Sequence, residues 1–213
     1  MAHEVKICGL KAPETIEAAV QAGVDHIGLV FFEKSPRNLR VDEAAMLAAR
    51  LPAQVNIVGL FVNPEDGFID QVLEAVPLDI LQLHGAEPVE RIQQLRQRTG
   101  REIMKAIGIR DQDDLTKARE YEPVVDRLLF DAKPPKDAPL PGGNALAFDW
   151  TLLEKQSWEK PWMLAGGLTA DNVETAIRLT GAPCVDTSSG VEDSPGIKNS
   201  QKIQEFIRRV KNI

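Results

Sequence analysis

The sequence predicts a (β/α)8 TIM barrel of parallel strands, and three observations support this fold class. β-rich runs recur eight times along 213 residues, segments with helical spacing separate them, and no linker divides the chain. Strands joined through helices pair in parallel through crossover connections, and eight right-handed crossovers favour closure of the sheet. We therefore expect a single barrel domain over residues 1–213, with a doubly wound open sheet as the less favoured alternative.

The predicted strands are short runs rich in aliphatic and β-branched residues, bounded by glycine, proline or polar residues. In chain order they are 5–8, 26–31, 56–61, 80–84, 102–107, 127–131, 162–165 and 184–187. After the first strand, Pro13 opens a helical segment with Ile16, Ala19 and Val20 on one stripe, and Gly23 closes it. The first strand and this segment therefore form one βα unit.

Later segments repeat this helical punctuation. The predicted helical stripes are 44–51 after Asp42, 69–73 after Pro64, 92–95 after Pro88, 115–119 after Asp111, and 173–179 after Thr169 and before Gly181.

The sixth connection differs from the others, because residues 132–147 are rich in proline and glycine and show no helical period. A loop of this length is uncommon in a compact domain. The composition is compatible equally with an active-site lid and with a tolerated surface insertion.

Composition excludes several function classes. The 25 basic and 32 acidic residues give a net charge of −7, which argues against a broad surface for nucleic acid or anionic membrane. With no secretory leader and no apolar run near the ~20 residues of a membrane span, we expect a cytoplasmic protein. The two cysteines should be free thiols, and the three histidines lack metal-ligand spacing, so we expect no metal.

Two loops are candidates for phosphate binding. Barrel enzymes place reacting groups at the C-terminal ends of strands, and phosphate is commonly held after strands seven and eight. Gly166 and Gly167 follow the seventh strand, and Ser188, Ser189 and Gly190 follow the eighth. Their small side chains let backbone N–H groups approach an anion, although tight βα turns alone would also favour glycine.

Cys8 ends the first strand, so its thiol can point into the barrel mouth, where Gly9 would leave room for a ligand. By period-two alternation Lys6 shares the inward face, whereas Val5 and Ile7 face the helices. A neighbouring ammonium lowers the pKa of a thiol and suits it to remove a proton. We therefore interpret Cys8 as a candidate base tuned by Lys6, with an inert packing cysteine as the alternative.

Three further residues could face the same mouth. Asp131 follows an apolar run at the end of strand six, where it either caps the next turn or serves as an acid whose pKa burial raises. Arg37, in the loop after strand two, presents a planar fork suited to a carboxylate, although a solvated surface arginine is the common case. His84 ends strand four.

Six motifs lie at or beside the strand ends: VKICGL at 5–10, GLVFF at 28–32 with SPR at 35–37, LQLHG at 81–85, FD at 130–131, LAGGL at 164–168 and VDTSSGVE at 185–192. Together they resemble the phosphoribosylanthranilate isomerase family nearly from end to end. The chain departs from the commonest pattern of that family at 142–145, where it reads GGNA.

The resemblance implies an Amadori rearrangement in tryptophan biosynthesis, from N-(5-phosphoribosyl)anthranilate to 1-(2-carboxyphenylamino)-1-deoxyribulose 5-phosphate, without a cofactor. It assigns Asp131 as the general acid that protonates the furanose oxygen and Cys8 as the base that removes the C2 proton. It implies a small-molecule substrate as partner and a monomer or homodimer. The substrate-binding residues that it implies are Arg37 for the carboxylate and Gly166, Gly167, Ser188, Ser189 and Gly190 for the phosphate. We also expect His84 and Asp186 to bind the substrate.

Other functions fit parts of the pattern. Lys6, His84 and Asp131 would suit a triose-phosphate-type aldose–ketose isomerase, but that reading leaves Cys8 idle and expects a glutamate base. A histidine-pathway barrel would carry an aspartate in place of Cys8. A non-catalytic phosphate-binding barrel is compatible with the fold, since fold does not dictate function, but the concentration of reactive groups at one mouth argues against it.

Overall fold

The computed structural model of the chain describes residues 3–135, 142–143 and 147–213. Eight parallel strands hydrogen-bond in chain order, and the first pairs with the eighth to close a barrel. This closure confirms the predicted (β/α)8 barrel and excludes the open sheet. The barrel strands are Glu4–Cys8 (β1), His26–Phe31 (β2), Asn56–Phe61 (β3), Ile80–Leu83 (β4), Glu102–Ile109 (β5), Arg127–Ala132 (β6), Trp162–Leu164 (β7) and Cys184–Thr187 (β8).

Helices cover the outside of the barrel. Within the described ranges they are Pro13–Gln21 (α1), Val41–Ala48 (α2), Asp66–Ala75 (α3), Val89–Thr99 (α4), Gln112–Tyr121 (α5), Val173–Thr180 (α6) and Ser200–Lys211 (α7). In the described part of the sixth connection, the chain forms a short 3-10 helix at Trp150–Leu153. After β8 come a 3-10 turn, Ser189–Val191, and an antiparallel hairpin of Glu192–Ser194 (β9) and Ile197–Lys198 (β10).

The hairpin and α7 were not predicted from the sequence. The buried residues of α7, Ile203, Phe206, Ile207 and Val210, follow helical spacing, so this helix did carry a readable signal. The two-residue strand β10 carries none. Its pairing with β9 depends on the tertiary contacts of the hairpin.

Several predicted boundaries were wrong. β4 ends at Leu83, so His84 begins the following loop, although its amide still bonds the carbonyl of Phe61 at 2.8 Å. β6 continues through Ala132, so Asp131 is not its last residue. α2 begins at Val41, ahead of the predicted stripe, and ends at Ala48 rather than at 51.

Side chains alternate between the barrel interior and the helical layer, as the period-two pattern predicts. Val5 and Ile7 of β1 pack in the core shared with the helices, while Cys8 packs inside the barrel with Val30 and Leu60. A second interior cluster fills the barrel with Val58, Ile80, Met104, Ala106, Leu129, Met163, Ala165 and Cys184. The interior of the barrel is therefore a packed apolar core.

A repeated aspartate ties the N-terminal ends of neighbouring strands together. Asp25, Asp79 and Asp126 each come directly before an even-numbered strand. Their carboxylates accept hydrogen bonds from the amides of Val5, Ile57 and Ile103, each at the start of the preceding strand, at 2.7, 2.7 and 3.0 Å. These hydrogen bonds lie at the N-terminal ends of the strands and do not involve the C-terminal ends.

Within the described ranges, none of the helices combines the length and apolar character that a membrane crossing requires. Both cysteines are free, as expected. One group of potential metal-ligating side chains lies together in these ranges, Glu4, His26 and Cys184. It lies at the N-terminal ends of β1, β2 and β8, where the His26 ring and the Glu4 carboxylate share a 3.0 Å hydrogen bond.

Candidate active site

A cavity opens at the C-terminal ends of the barrel strands. Nine of the ten residues proposed for the site from sequence line it: Cys8, Arg37, His84, Asp131, Gly166, Gly167, Asp186, Ser188 and Ser189. Gly190 does not line the cavity. A methyl group in its place would come within 1.9 Å of the Leu168 carbonyl oxygen, so this glycine lets the loops after β7 and β8 pack together.

The Cys8 thiol is buried at the cavity floor, only 4% exposed. Burial raises its pKa, whereas Lys6 acts in the opposite direction and lowers it. The expected neighbour is therefore in place, but its charge does not outweigh desolvation, and the net shift of the pKa favours the neutral thiol. The sequence alone favoured the thiolate and was wrong about the net direction.

Gly9 leaves room for a protein side chain rather than for a ligand. It has a φ of +78°, and a methyl group there would lie 2.7 Å from Cδ of Arg37. The arginine side chain therefore runs across the end of β1 into the cavity.

Lys6 is fully buried and donates to the Asp186 carboxylate at 2.9 Å. Burial opposes the charge of this lysine, but Asp186 and Cys8 outweigh it and hold the pKa of Lys6 above its ordinary value. Asp186 lines the cavity as well. The ion pair thus places charges of both signs within electrostatic reach of Cys8 and Asp131.

Burial raises the pKa of Asp131 to about 7, and the nearby Asp186 adds to this effect. The amide of Ala132, which donates to Oδ1 at 2.8 Å, and the charge of Lys6 act in the opposite direction. One carboxyl oxygen therefore makes the local bond expected of a turn cap. The same group is poised to carry a proton near neutral pH.

His84 lies beside Asp131, with Nε2 3.5 Å from Oδ2. Burial and the positive charges of Lys105 and Lys6 lower the pKa of His84 to about 3. The imidazole is therefore neutral, so this contact is not an ion pair. Its Nε2 has no hydrogen-bond partner within the described part of the chain and is free to meet a ligand.

Arg37 is buried, and Glu192 already holds one edge of its guanidinium. Nε and Nη2 donate to the two carboxylate oxygens of Glu192 at 2.7 and 2.8 Å, and Nη2 also donates to the Gly143 carbonyl at 3.2 Å. Within the described ranges Nη1 has no hydrogen-bond acceptor, and it lies beside Gly143, where a methyl group would come within 2.6 Å of it. The sequence predicted that the whole guanidinium could bind a substrate carboxylate. In the structure Glu192 occupies Nε and Nη2, so only Nη1 remains for such a carboxylate.

The loops after β7 and β8 form one wall of the cavity. Gly166 and Gly167 both have positive φ, +84° and +66°. Within the described ranges, their amide N–H groups make no hydrogen bond to the protein. Two adjacent amides without a protein acceptor form a concavity suited to an anion.

Gly142 and Gly143, the described residues of the middle of the sixth connection, cover this cavity. A methyl group on Gly142 would come within 2.5 Å of Asp131 Oδ2, and Gly143 accepts from Arg37. This placement favours the lid over the surface insertion. Asn144 and Ala145, where the chain departs from the commonest family pattern, lie outside the described residues.

Comparison with known proteins identifies the family. Residues 5–209 match the family model described as N-(5'phosphoribosyl)anthranilate (PRA) isomerase. The chain belongs to this family. A phosphoribosylanthranilate isomerase of Paracoccus denitrificans is 56% identical over 98% of this chain and 97% of its own length. One from Paramagnetospirillum magneticum is 53% identical, with the same coverage.

Solved structures of phosphoribosylanthranilate isomerases share the fold. The enzyme from Thermotoga maritima superposes with a TM-score of 0.89 at 35% identity, covering 99% of this chain and 100% of its own. A second isomerase structure, with a TM-score of 0.84 and 33% identity over 99% and 100% of the two chains, is a complex with reduced 1-(o-carboxyphenylamino)-1-deoxyribulose 5-phosphate. A non-catalytic barrel is thus set aside in favour of an isomerase enzyme.

Sequence reasoning missed three residues around the site of this isomerase. Gln82 lines the cavity with Oε1 unpartnered in the described structure, and its position two residues before His84 on an inward face was a usable signal. Glu192 lay within a quoted motif but was given no role. Lys198, which contacts Glu192 at 2.7 Å, had no sequence signal.

Replacing Lys6 by methionine should raise the pKa of Cys8 further, because Lys6 is the largest influence that lowers it. The pKa is measured as the pH dependence of alkylation by iodoacetamide. A Cys184→Ser background leaves Cys8 as the sole thiol, and Lys6→Met/Asp186→Asn removes the ion pair without leaving a buried lone carboxylate. An unshifted alkylation profile in both variants would reject the coupling.

Proposed function

We propose that the protein catalyses the Amadori rearrangement of N-(5-phosphoribosyl)anthranilate to 1-(2-carboxyphenylamino)-1-deoxyribulose 5-phosphate, a step of tryptophan biosynthesis. The observation that carries the mechanism is the meeting of Cys8 and Asp131 in one cavity, with anion-binding groups on its walls. The proposal retains one catalytic domain over residues 1–213. The cytoplasmic location and the absence of a cofactor stay predictions.

Asp131 acts first, as the general acid. Its carboxylic acid donates a proton to the furanose ring oxygen, the bond from that oxygen to C1 breaks, and the anthranilate nitrogen forms a protonated Schiff base with C1. A pKa of about 7 keeps a large fraction of Asp131 protonated near neutral pH. His84 beside it has a pKa of about 3, so its neutral ring can accept a hydrogen bond from the acid without taking the proton.

Cys8 acts second, as the general base. Its thiolate removes the proton from C2, and the electron pair moves to the Schiff base to give an enolamine. The enolamine gains a proton at C1 and loses the one on its C2 oxygen, so product and substrate are isomers. The positive charge of the Schiff base next to the thiol favours the thiolate and offsets part of the burial that disfavours it.

The two ends of the substrate have separate binding groups in this proposal. Nη1 of Arg37 holds the anthranilate carboxylate, while the amides of Gly166 and Gly167 and the residues Ser188 and Ser189 hold the phosphate. Gly190 contributes by letting the loops after β7 and β8 pack closely together.

A direct assay tests the proposed function. Freshly made phosphoribosylanthranilate is fluorescent, and its fluorescence should decay when the purified protein is added. Substrate and product are isomers of equal mass, so product formation is checked by separating the two compounds by chromatography. No decay at high protein concentration would reject the function.

The pH profile should reveal that the two groups act in reverse protonation. Only molecules with Asp131 protonated and Cys8 ionised react, yet the pKa of Asp131 is about 7 and that of Cys8 lies above its ordinary 9.0. Between these pH values about one free molecule in a hundred, or fewer, carries both forms. We expect kcat/KM to rise with pH up to about 7, to stay level, and to fall above the pKa of Cys8.

A different group controls the rate on each side of the pH profile. Below pH 7, Asp131 is already protonated and the rate follows the growing thiolate fraction; above the pKa of Cys8, the thiolate is complete and the rate follows the shrinking acid fraction. Stopped-flow fluorescence over pH 5 to 11 measures the profile. A rate that falls from pH 7 upwards would contradict the high pKa of Cys8.

A further inference from the structure

A buried chain of charges joins the carboxylate end of the cavity to its phosphate end. At one end Arg37 is paired with Glu192, and at the other Ser188 begins the loop after β8. Lys198, on the hairpin strand β10, lies between them and contacts both Glu192 and Ser188. The side chains of Arg37, Glu192 and Lys198 are 6%, 4% and 2% exposed, so water screens this chain little.

The ammonium of Lys198 has no donor left for a ligand. Its Nζ donates to Glu192 Oε1 at 2.7 Å, to the Ser188 carbonyl at 2.9 Å and to Ser188 Oγ at 3.1 Å. An ammonium has three N–H groups, and all three are used by these contacts. Lys198 therefore acts through its neighbours rather than by holding phosphate itself.

Its contact with Ser188 sets the direction of a hydroxyl. Because Ser188 Oγ accepts from Lys198, the hydroxyl hydrogen must point away from the ammonium and is available to an acceptor in the cavity. Lys198 also donates to the backbone carbonyl of Ser188, which fixes the backbone of that residue. The loop after β8 is thus held in place with the Ser188 hydroxyl available as a donor.

Its contact with Glu192 sets the direction of the guanidinium. Glu192 binds Nε and Nη2 of Arg37, and this bidentate geometry leaves Nη1 without an acceptor in the described ranges, beside Gly143, which lines the cavity. Two cations share one carboxylate in this chain, so the chain carries one excess positive charge that an incoming anion can balance. The substrate proposed above has an anion at each end.

We propose that Lys198 is a positioning residue that couples the two ends of the substrate site, orienting Arg37 through Glu192 and the phosphate loop through Ser188. This inference rests on the proposed function, because it concerns where that substrate's carboxylate and phosphate bind. Replacing Lys198 should therefore weaken the binding of the substrate carboxylate and of the substrate phosphate together.

The test compares Lys198→Met with Lys202→Met. Lys202 is a matched control, since its Nζ contacts the backbone carbonyl of Glu192 and the side chain of Asp193 but neither Arg37 nor Ser188. Inorganic phosphate and anthranilate serve as separate probes of the two ends, as competitive inhibitors in the isomerase assay. We expect Lys198→Met to raise KM and both inhibition constants about tenfold or more, the size of one lost charge-assisted hydrogen bond, with a smaller change in kcat.

The outcomes separate this inference from the proposed function. If the wild type does not isomerise phosphoribosylanthranilate, the function fails first. If it does, but Lys198→Met changes only one inhibition constant or neither, the coupling is overturned. Circular dichroism checks that each variant folds. If Lys198→Met does not fold, KM and the two inhibition constants are measured for Lys198→Gln, which keeps an N–H donor but lacks the charge. Equal effects of Lys202→Met would also overturn the inference.

Discussion

Replacing Cys8 by serine is expected to lower kcat by about 10²- to 10⁴-fold while KM changes by less than about threefold. Serine is nearly isosteric with cysteine, so the substrate should still bind. A buried hydroxyl is far harder to ionise than the thiol, so the C2 proton loses its acceptor. Steady-state fluorescence kinetics measure both constants, and the residual activity should follow the protonation of Asp131, falling above about pH 7.

The chain supplies a matched control for this substitution. Cys184 is also buried and free, but it packs in the apolar cluster inside the barrel, on the first residue of β8. Cys184→Ser should therefore keep a near-wild-type kcat. A Cys8→Ser enzyme with the same kcat as Cys184→Ser would refute the role of Cys8 as the base.

Replacing Asp131 by asparagine should lower kcat by a similar factor, about 10²- to 10⁴-fold. Asparagine retains an oxygen that can accept from the Ala132 amide, so the local hydrogen bond and the fold should persist. The amide cannot donate a proton to the ring oxygen, and ring opening becomes limiting. The break near pH 7, which reports the pKa of Asp131, should disappear, so that the residual rate keeps rising with pH until Cys8 is ionised.

Asp79→Asn is the matched control for this second variant. Asp79 accepts from the Ile57 amide at 2.7 Å and lies at the opposite end of the barrel from the cavity. Its substitution tests whether losing a hydrogen-bonded carboxylate is enough to reduce turnover. Near-wild-type turnover in Asp131→Asn, or an unaltered break near pH 7, would refute the assignment of Asp131 as the acid.

The strands and the strand-end residues could be predicted because their signals are local. Period-two alternation placed Lys6 and Cys8 on one face of β1, and the loops after β7 and β8 were recognised by their own small residues. Sequence signals of this kind depend on neighbouring residues and on the general geometry of parallel barrels. They do not depend on knowing which distant side chains meet.

The clamp on Arg37 could not be predicted in this way. Its partner Glu192 is 155 residues away, and Lys198 contacts Glu192 and Ser188 through the β9–β10 hairpin, which turns the chain back on itself. Gly9 gives the same lesson, since the space beside it is taken by the Arg37 side chain rather than left for a ligand. Closure of the barrel brings these residues together.

By itself the sequence determined the barrel, its family, and the positions of Cys8 and Asp131 at one mouth. Only the tertiary structure decided their protonation, because a pKa reflects the balance of burial against distant charges. Near Asp131, burial and Asp186 together raise the pKa to about 7. At Cys8, burial outweighs the expected influence of Lys6 and raises the pKa, which favours the neutral thiol.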